Sequence, residues 1–371
     1  MSKYDEKDFE KIALQMQKQV KEDPNNVQLR NELAIVFMEI NQYEDAFFQL
    51  QTAAEIKPSV QTLYNLGYFY FAEGKPIIED IGSGSFEEDA EEEEMSYTWE
   101  IADKEAFDIV EDLLKNKPRH YFPYNVMGEM YIKKEKYEEA IGILEEAIGI
   151  LEEAITLTPS LENLNNLGLC YYKKGRLPEA AECFRKAHLL RSSNNYSLFP
   201  FLSYGICLAN LGRKSEAKEA AKELLLLSEK EEEELEADIA EIYYILEDYE
   251  EVIKIYSKLD WRFYSEEFFL TYFYSLWKLS KTQEIEELAS KTIQRKEKDM
   301  KEVLQDPEEE EEFKIECEEV TKEDIAFIKN TVKEVYWGKA PVVRYEPTLE
   351  TRCYLYGCFR HTDVNPSYFS I

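Results

Sequence analysis

The feature that most constrains this chain is a short word that recurs along it. Leu66-Gly67-x-x-Tyr70, Met127-Gly128-x-x-Tyr131 and Leu167-Gly168-x-x-Tyr171 share one pattern, and further on each is followed by small and large apolar residues at helical spacing. A unit that recurs in this way cannot bury its apolar face alone, so successive units must stack and share a core. The small residue lets two helices approach closely, and the large ones fill the space around the contact. Each unit therefore reads as helix, turn, helix.

The first unit carries the whole set: Leu33, Ala34, Phe37, Ala46, Leu50, Ala53 and then Pro58, which stops the second helix because it cannot donate to the preceding turn. The second opens with Leu66, Gly67 and Tyr70 but resumes only at Ala106, Val110, Leu113 and Pro118, so an insertion splits it between its two helices. The third has Met127, Gly128, Tyr131, Ala140 and Leu144; the fourth has Leu167, Gly168, Tyr171, Gly175, Ala180, Phe184 and Ala187. Beyond it the match weakens but the spacing holds, through Gly205, Leu208, Gly212, Ala217 and Ala221, then Ile239, Ala240, Tyr243 and Val252, and most faintly Phe273, Leu276 and Ile285. These residues resemble the tetratricopeptide repeat, a helix-turn-helix unit of about 34 residues. Covering roughly residues 25–295, the resemblance implies an all-α fold: a right-handed superhelical solenoid of about six to seven repeats.

In the third unit Gly142 to Ile148 is repeated at once as Gly149 to Ile155. Seven residues are almost two helical turns, so the apolar face is kept and the helix grows longer.

The remaining segments give the expected organisation. Residues 1–24, with Phe9, Ile12, Met16 and Val20 at helical spacing, form a capping helix, followed by the solenoid over 25–295. Its insertion, about 75–100, contains Gly82-Ser83-Gly84-Ser85 and an acidic block, and reads as a self-repelling loop that returns to order near Met95 to Trp99. Residues 296–315 are an acidic linker or exposed helix end. Within 316–371 a helix is expected from Asp324 to Trp337, then an aromatic tail that forms either a short β-hairpin or a segment docked on the solenoid.

Charge narrows the partners. With 77 acidic and 44 basic residues the chain carries −33, which repels nucleic acid and anionic membrane surfaces and steers basic partners inward. Acidity that only keeps the protein soluble is the alternative. The first residues lack the basic and apolar regions of a signal peptide, and no window approaches the roughly 18 apolar residues of a membrane span, so a cytoplasmic location is expected. Six cysteines, at 170, 183, 207, 317, 353 and 358, are too sparse for a disulfide framework and are expected to be reduced.

Catalytic signatures are wanting: the sequence has no phosphate-binding glycine loop, nucleophile elbow or paired-histidine zinc helix, and only His120, His188 and His361. No enzyme activity and no cofactor are expected. Cys353, Cys358 and His361, with Cys317, are the nearest approach to a zinc set, but their spacing is not that of a structural site, and no metal is assigned.

The resemblance places the ligand groove on the first helix of each repeat. It implies partner contacts from Asn31, Tyr64, Tyr68, Phe71, Asn125, Glu129, Asn165 and Tyr172, continuing through Phe199, Glu241 and Tyr244. The family's clamp for acidic chaperone tails needs groove cations, and these positions hold asparagine, tyrosine and glutamate instead. Asparagine bonds a ligand backbone, aromatics bury its side chains, and acids favour a basic segment. The expected function is therefore non-catalytic binding of a basic or amphipathic segment of another protein or peptide. An immunity protein that inhibits a cationic toxin and a peptide-responsive regulator are the alternatives.

Overall fold

In the computed structural model of the chain the described residues are 6–78, 97–100, 102–117, 122–153, 161–191, 197–231, 234–259, 267–306, 311–343 and 345–350. They fall into two compact units. Unit 1 comprises Met1–Cys170 with Leu349–Ile371, and unit 2 comprises Tyr171–Thr348.

Unit 1 begins with α1 (Glu6–Glu22), then α2 (Val27–Glu39) and α3 (Tyr43–Ile56), the first helix pair. Asn26 caps α2 by accepting from the Leu29 amide at 3.1 Å. Leu33, Ala34, Phe37, Ala46, Leu50 and Ala53, the set expected to meet between the two helices, are each no more than 1% exposed. α4 (Val60–Ala72) starts in a capping box between Ser59 and Thr62. Its partner α5 (Asp103–Lys115) comes only after the insertion, whose ends pair as an antiparallel ladder, β1 (Lys75–Ile78) with β2 (Tyr97–Glu100), in register Lys75 to Glu100. The expected acidic loop, residues 79–96, lies outside the described residues. α6 (Phe122–Lys133) and α7 (Tyr137–Glu153) form the third pair. Here Gly128 is indispensable: a Cβ on it would stand 2.6 Å from Leu144 Cδ2 and 2.8 Å from Cγ. α7 has 17 residues where α3 has 14, and it runs into the second copy of the duplicated heptad as far as Glu153.

α8 (Leu161–Lys173) spans the division between the units. Unit 2 continues with α9 (Leu177–Leu190), α10 (Phe199–Asn210), α11 (Lys214–Glu231), α12 (Glu236–Ile245), α13 (Tyr249–Tyr256), α14 (Phe268–Lys278), α15 (Thr282–Gln305) and α16 (Glu311–Tyr336). Its core runs through α10 to α15, with Phe201, Leu208, Ala221, Ile242, Tyr256 and Phe273 buried, and is closed by Ile328 and Val335 of α16.

One turn recurs through both units. Asn41, Glu135, Gly175, Gly212, Glu247 and Ser280 all have positive φ, and in each case the next amide reaches back to the last turn of the preceding helix, as Gln42 does to the Phe37 carbonyl and Lys281 to that of Leu276. This left-handed cap satisfies the orphaned carbonyls and sends the second helix back against the first. The faint repeat around Phe273 has the same turn as the clear one around Gly168. Where a linker or an exposed helix end was expected over 296–315, α15 runs on to Gln305 and α16 begins at Glu311, because Glu and Lys are strong helix formers and pair along the chain, as Lys298 does with Glu302 and Lys322 with Glu318.

Beyond α16 the chain turns at Gly338, whose φ of 74° serves a cap in which the Lys339 amide bonds the Glu334 carbonyl at 3.1 Å. From there the described residues, 339–343 and 345–350, form no regular element. Residues 339–343 and 345–348 form a strap laid on unit 2; the rest of the segment expected as a hairpin or a docked tail, residues 351–371, lies outside the described residues.

Candidate functional site

The first helices of the pairs carry the polar residues, and the two units use them differently. In unit 1 they satisfy one another. Asn31 donates to the Val27 carbonyl at 2.9 Å and accepts from Asn65, one repeat further on, at 3.2 Å. Asn125 and Asn163 exchange hydrogen bonds in both directions. Asn165 donates to Asn166 Oδ1 at 3.2 Å, and Asn166 grips the backbone of Glu350 twice, donating to its carbonyl at 2.8 Å and accepting from its amide at 3.0 Å. A side-chain amide that pairs with both polar groups of one residue reads an extended backbone without regard to its side chain.

The aromatic members of the expected set also lie on this face. Tyr64, fully buried, stacks on Tyr68 at 6.2 Å and tilts against Phe122 at 6.4 Å. Phe71 is half-buried and takes the Lys133 ammonium over its ring at 4.0 Å. Glu129 is only 2% exposed. Of the expected contact residues, Asn31, Tyr64, Tyr68, Phe71, Asn125, Glu129 and Asn165 belong to unit 1, and Tyr172, Phe199, Glu241 and Tyr244 to unit 2. Asn166 was not expected; it adjoins Asn165, and a step of one residue turns a helix by about 100°.

In unit 2 the same face holds the strap. Tyr345 hydrogen-bonds Ser203 of α10 through the two hydroxyls at 2.8 Å, and its ring meets Tyr172 edge-on at 6.3 Å. Tyr244 of α12 donates to the Pro341 carbonyl at 2.9 Å, Val343 packs on the core, and Lys173 pairs with Glu346 at 2.8 Å. Burial drives the Tyr345 phenol well above its ordinary range and that of Tyr172 up to about 12, so both stay protonated.

Beside the strap, a cavity of about 800 Å³ is bordered by Phe199, Asp238, Glu241 and Thr271 on one side and by Val335 and Pro341 on the other. Glu241 accepts from Tyr256 at 2.5 Å and from Thr271. Desolvation nonetheless raises its carboxyl to about 7 and that of half-buried Asp238 to about 6.

The reactive side chains serve packing. Cys170, Cys183 and Cys207 are buried, and burial lifts the Cys207 thiol to about 12. His188 stacks on Phe201 at 3.8 Å, and desolvation with nearby Arg191 lowers it to about 4, leaving it neutral. Of the zinc candidates Cys317 sits on α16, while Cys353, Cys358 and His361 lie outside the described residues, as does His120. Among the described residues no helix is long and apolar enough to cross a membrane.

Comparison with known proteins agrees on the repeat. The tetratricopeptide repeat family matches residues 122–191. Among solved structures, YrrB, described as a TPR protein with an unusual peptide-binding site, shares 17% identity over 57% of this chain and 91% of its own, with a TM-score of 0.40. PilF of Pseudomonas aeruginosa shares 18% over 67% and 96%, with a TM-score of 0.46. The C-terminal part of a TPR repeat-containing protein from Cytophaga hutchinsonii shares 14% over 72% and 90%, with a TM-score of 0.45. No curated protein matches the sequence.

Proposed function

We propose that this chain, a tetratricopeptide-repeat protein, is a non-catalytic module that holds an extended, basic segment of another protein against its first helices. The observation that carries this reading is the strap. A stretch of polypeptide without regular secondary structure already lies on that face of unit 2, held by tyrosine hydroxyls and ring edges in the manner of a bound peptide. The basic character of the partner rests on charge: a net −33 steers cations toward the molecule, and Asp238 and Glu241 border the cavity. In the expected contact set, half-buried Phe71 and Tyr172 give surface to the partner, while Asn31, Tyr64, Tyr68, Asn125, Glu129 and Asn165 stand behind them and fix the face.

Selection of random peptides on the full-length chain tests the reading. Recovered segments should be enriched in Lys and Arg, their association should slow as salt rises, and Tyr244→Ala or Phe71→Ala should speed their dissociation. Segments of neutral composition, indifferent to salt and to both substitutions, would remove it.

A further inference from the structure

The strap on unit 2 does not fill the space beside it. Protein interiors pack like organic crystals, yet beside the strap lies a cavity of about 800 Å³, within the range of about 300–1,000 Å³ in which proteins hold small ligands. Among its described residues the strap's contacts are spaced along it: one carbonyl held by Tyr244, Val343 packed on the core, one tyrosine held by Ser203 and Tyr172, a buried proline at 347, and an ion pair whose Glu346 is 75% exposed. Ser203 is itself only 1% exposed and spends its hydroxyl on a residue 142 positions away. A single aromatic anchor, flanked by prolines that hold the backbone extended, is the layout of a peptide ligand.

From this layout we infer that the strap is a resident stand-in. The face of unit 2 takes an extended segment of another protein that carries a tyrosine followed closely by proline, and that segment displaces Lys339–Thr348 by putting its tyrosine in the place of Tyr345. The inference rests on the reading that the first helices hold a partner segment, and adds what that segment must contain and what it must remove. Tethering raises the effective concentration of the strap, so an untethered competitor meets a face that is occupied most of the time. Release needs no unfolding of the helices, since Gly338 already turns the chain out of α16 within its own cap.

The test uses a labelled peptide with the sequence of Lys339–Glu350 and the full-length chain. The wild-type chain should bind it weakly; Tyr345→Ala, whose own strap has lost its anchor, should bind it at least tenfold more tightly. Tyr345→Phe, which removes only the hydroxyl and keeps the ring, should fall between the two, and it carries the test if the alanine variant loses its helical circular dichroism. A peptide with alanine at the tyrosine position should fail to bind Tyr345→Ala, and adding Ser203→Ala to that variant should weaken binding severalfold. Equal affinity of all three chains for the peptide, or no binding by helical Tyr345→Ala or Tyr345→Phe, overturns the stand-in. If instead a basic peptide selected on the chain binds the first helices without competing with the Lys339–Glu350 peptide, the stand-in falls while the binding reading stands.

Discussion

Unit 1 and unit 2 meet the same polar demand with different chemistry. The first helices of unit 1 bury asparagines, whose amides both donate and accept, and these close on one another between repeats: Asn31 with Asn65, Asn125 with Asn163. The first helices of unit 2 bury hydroxyls and one carboxylate, Ser203, Thr271 and Glu241, and their bonds run to Tyr345 and Tyr256. Beside these paired amides Asn166 turns its own to the backbone of Glu350. Hydroxyls offer one donor each, and in unit 2 a cavity lies beside them.

That contrast can be broken from either side, and the largest effect should come from packing in unit 1. Gly128→Val should cost about 3 kcal/mol, seen as a lower melting temperature, because Leu144, 1% exposed, has nowhere to retreat. An unchanged melting temperature would mean the helices of that pair are not in close contact.

Unit 2 should show its carboxylate through pH. Glu241 titrates at about 7 in the folded chain against 4.5 ordinarily, so the folded state keeps a proton that the unfolded state has lost. Stability should therefore fall as pH rises from about 4.5 to 7 and level off above, by on the order of 2–3 kcal/mol, with Asp238 acting in the same direction. Glu241→Gln should flatten that slope in denaturant titrations; a variant with the wild-type pH profile would place the proton elsewhere.

Asn31→Ala should cost about 1–2 kcal/mol by stripping a partner from buried Asn65, and the double variant with Asn65→Ala should cost less than the sum of the singles. Strict additivity would show that the two amides do not depend on each other. The smallest effect is expected at the strap's exposed ion pair, where Lys173→Met should change stability by less than about 0.5 kcal/mol.

The sequence was legible where packing alone decides. Leu33, Ala34 and Phe37 announced the first pair, and the residues around Phe273, though poor in consensus, kept the spacing that places α14 and α15. The left-handed turns were readable at Gly175 and Gly212 but hidden at Glu135, Glu247 and Ser280, which adopt the same φ without glycine. The charged run beyond Lys296 looked like a linker because it lacks a strong apolar stripe, yet helix propensity and neighbouring ion pairs keep it helical. Tyr172, Glu241 and Tyr244 were visible from the repeat register, and the structure gathers them around the strap and its cavity. Tyr345 belongs to the segment expected to form a hairpin or to dock, but no local pattern reports its contact with Ser203, 142 residues away.

Hydrogen exchange on the full-length chain, with and without a basic peptide selected on it, addresses the central claim most directly. If a partner segment is held by the first helices, amides of α10, α12 and α14 should gain protection while α11 and α13 stay as they were. Protection confined to α11 and α13, with α10, α12 and α14 unchanged, would contradict it.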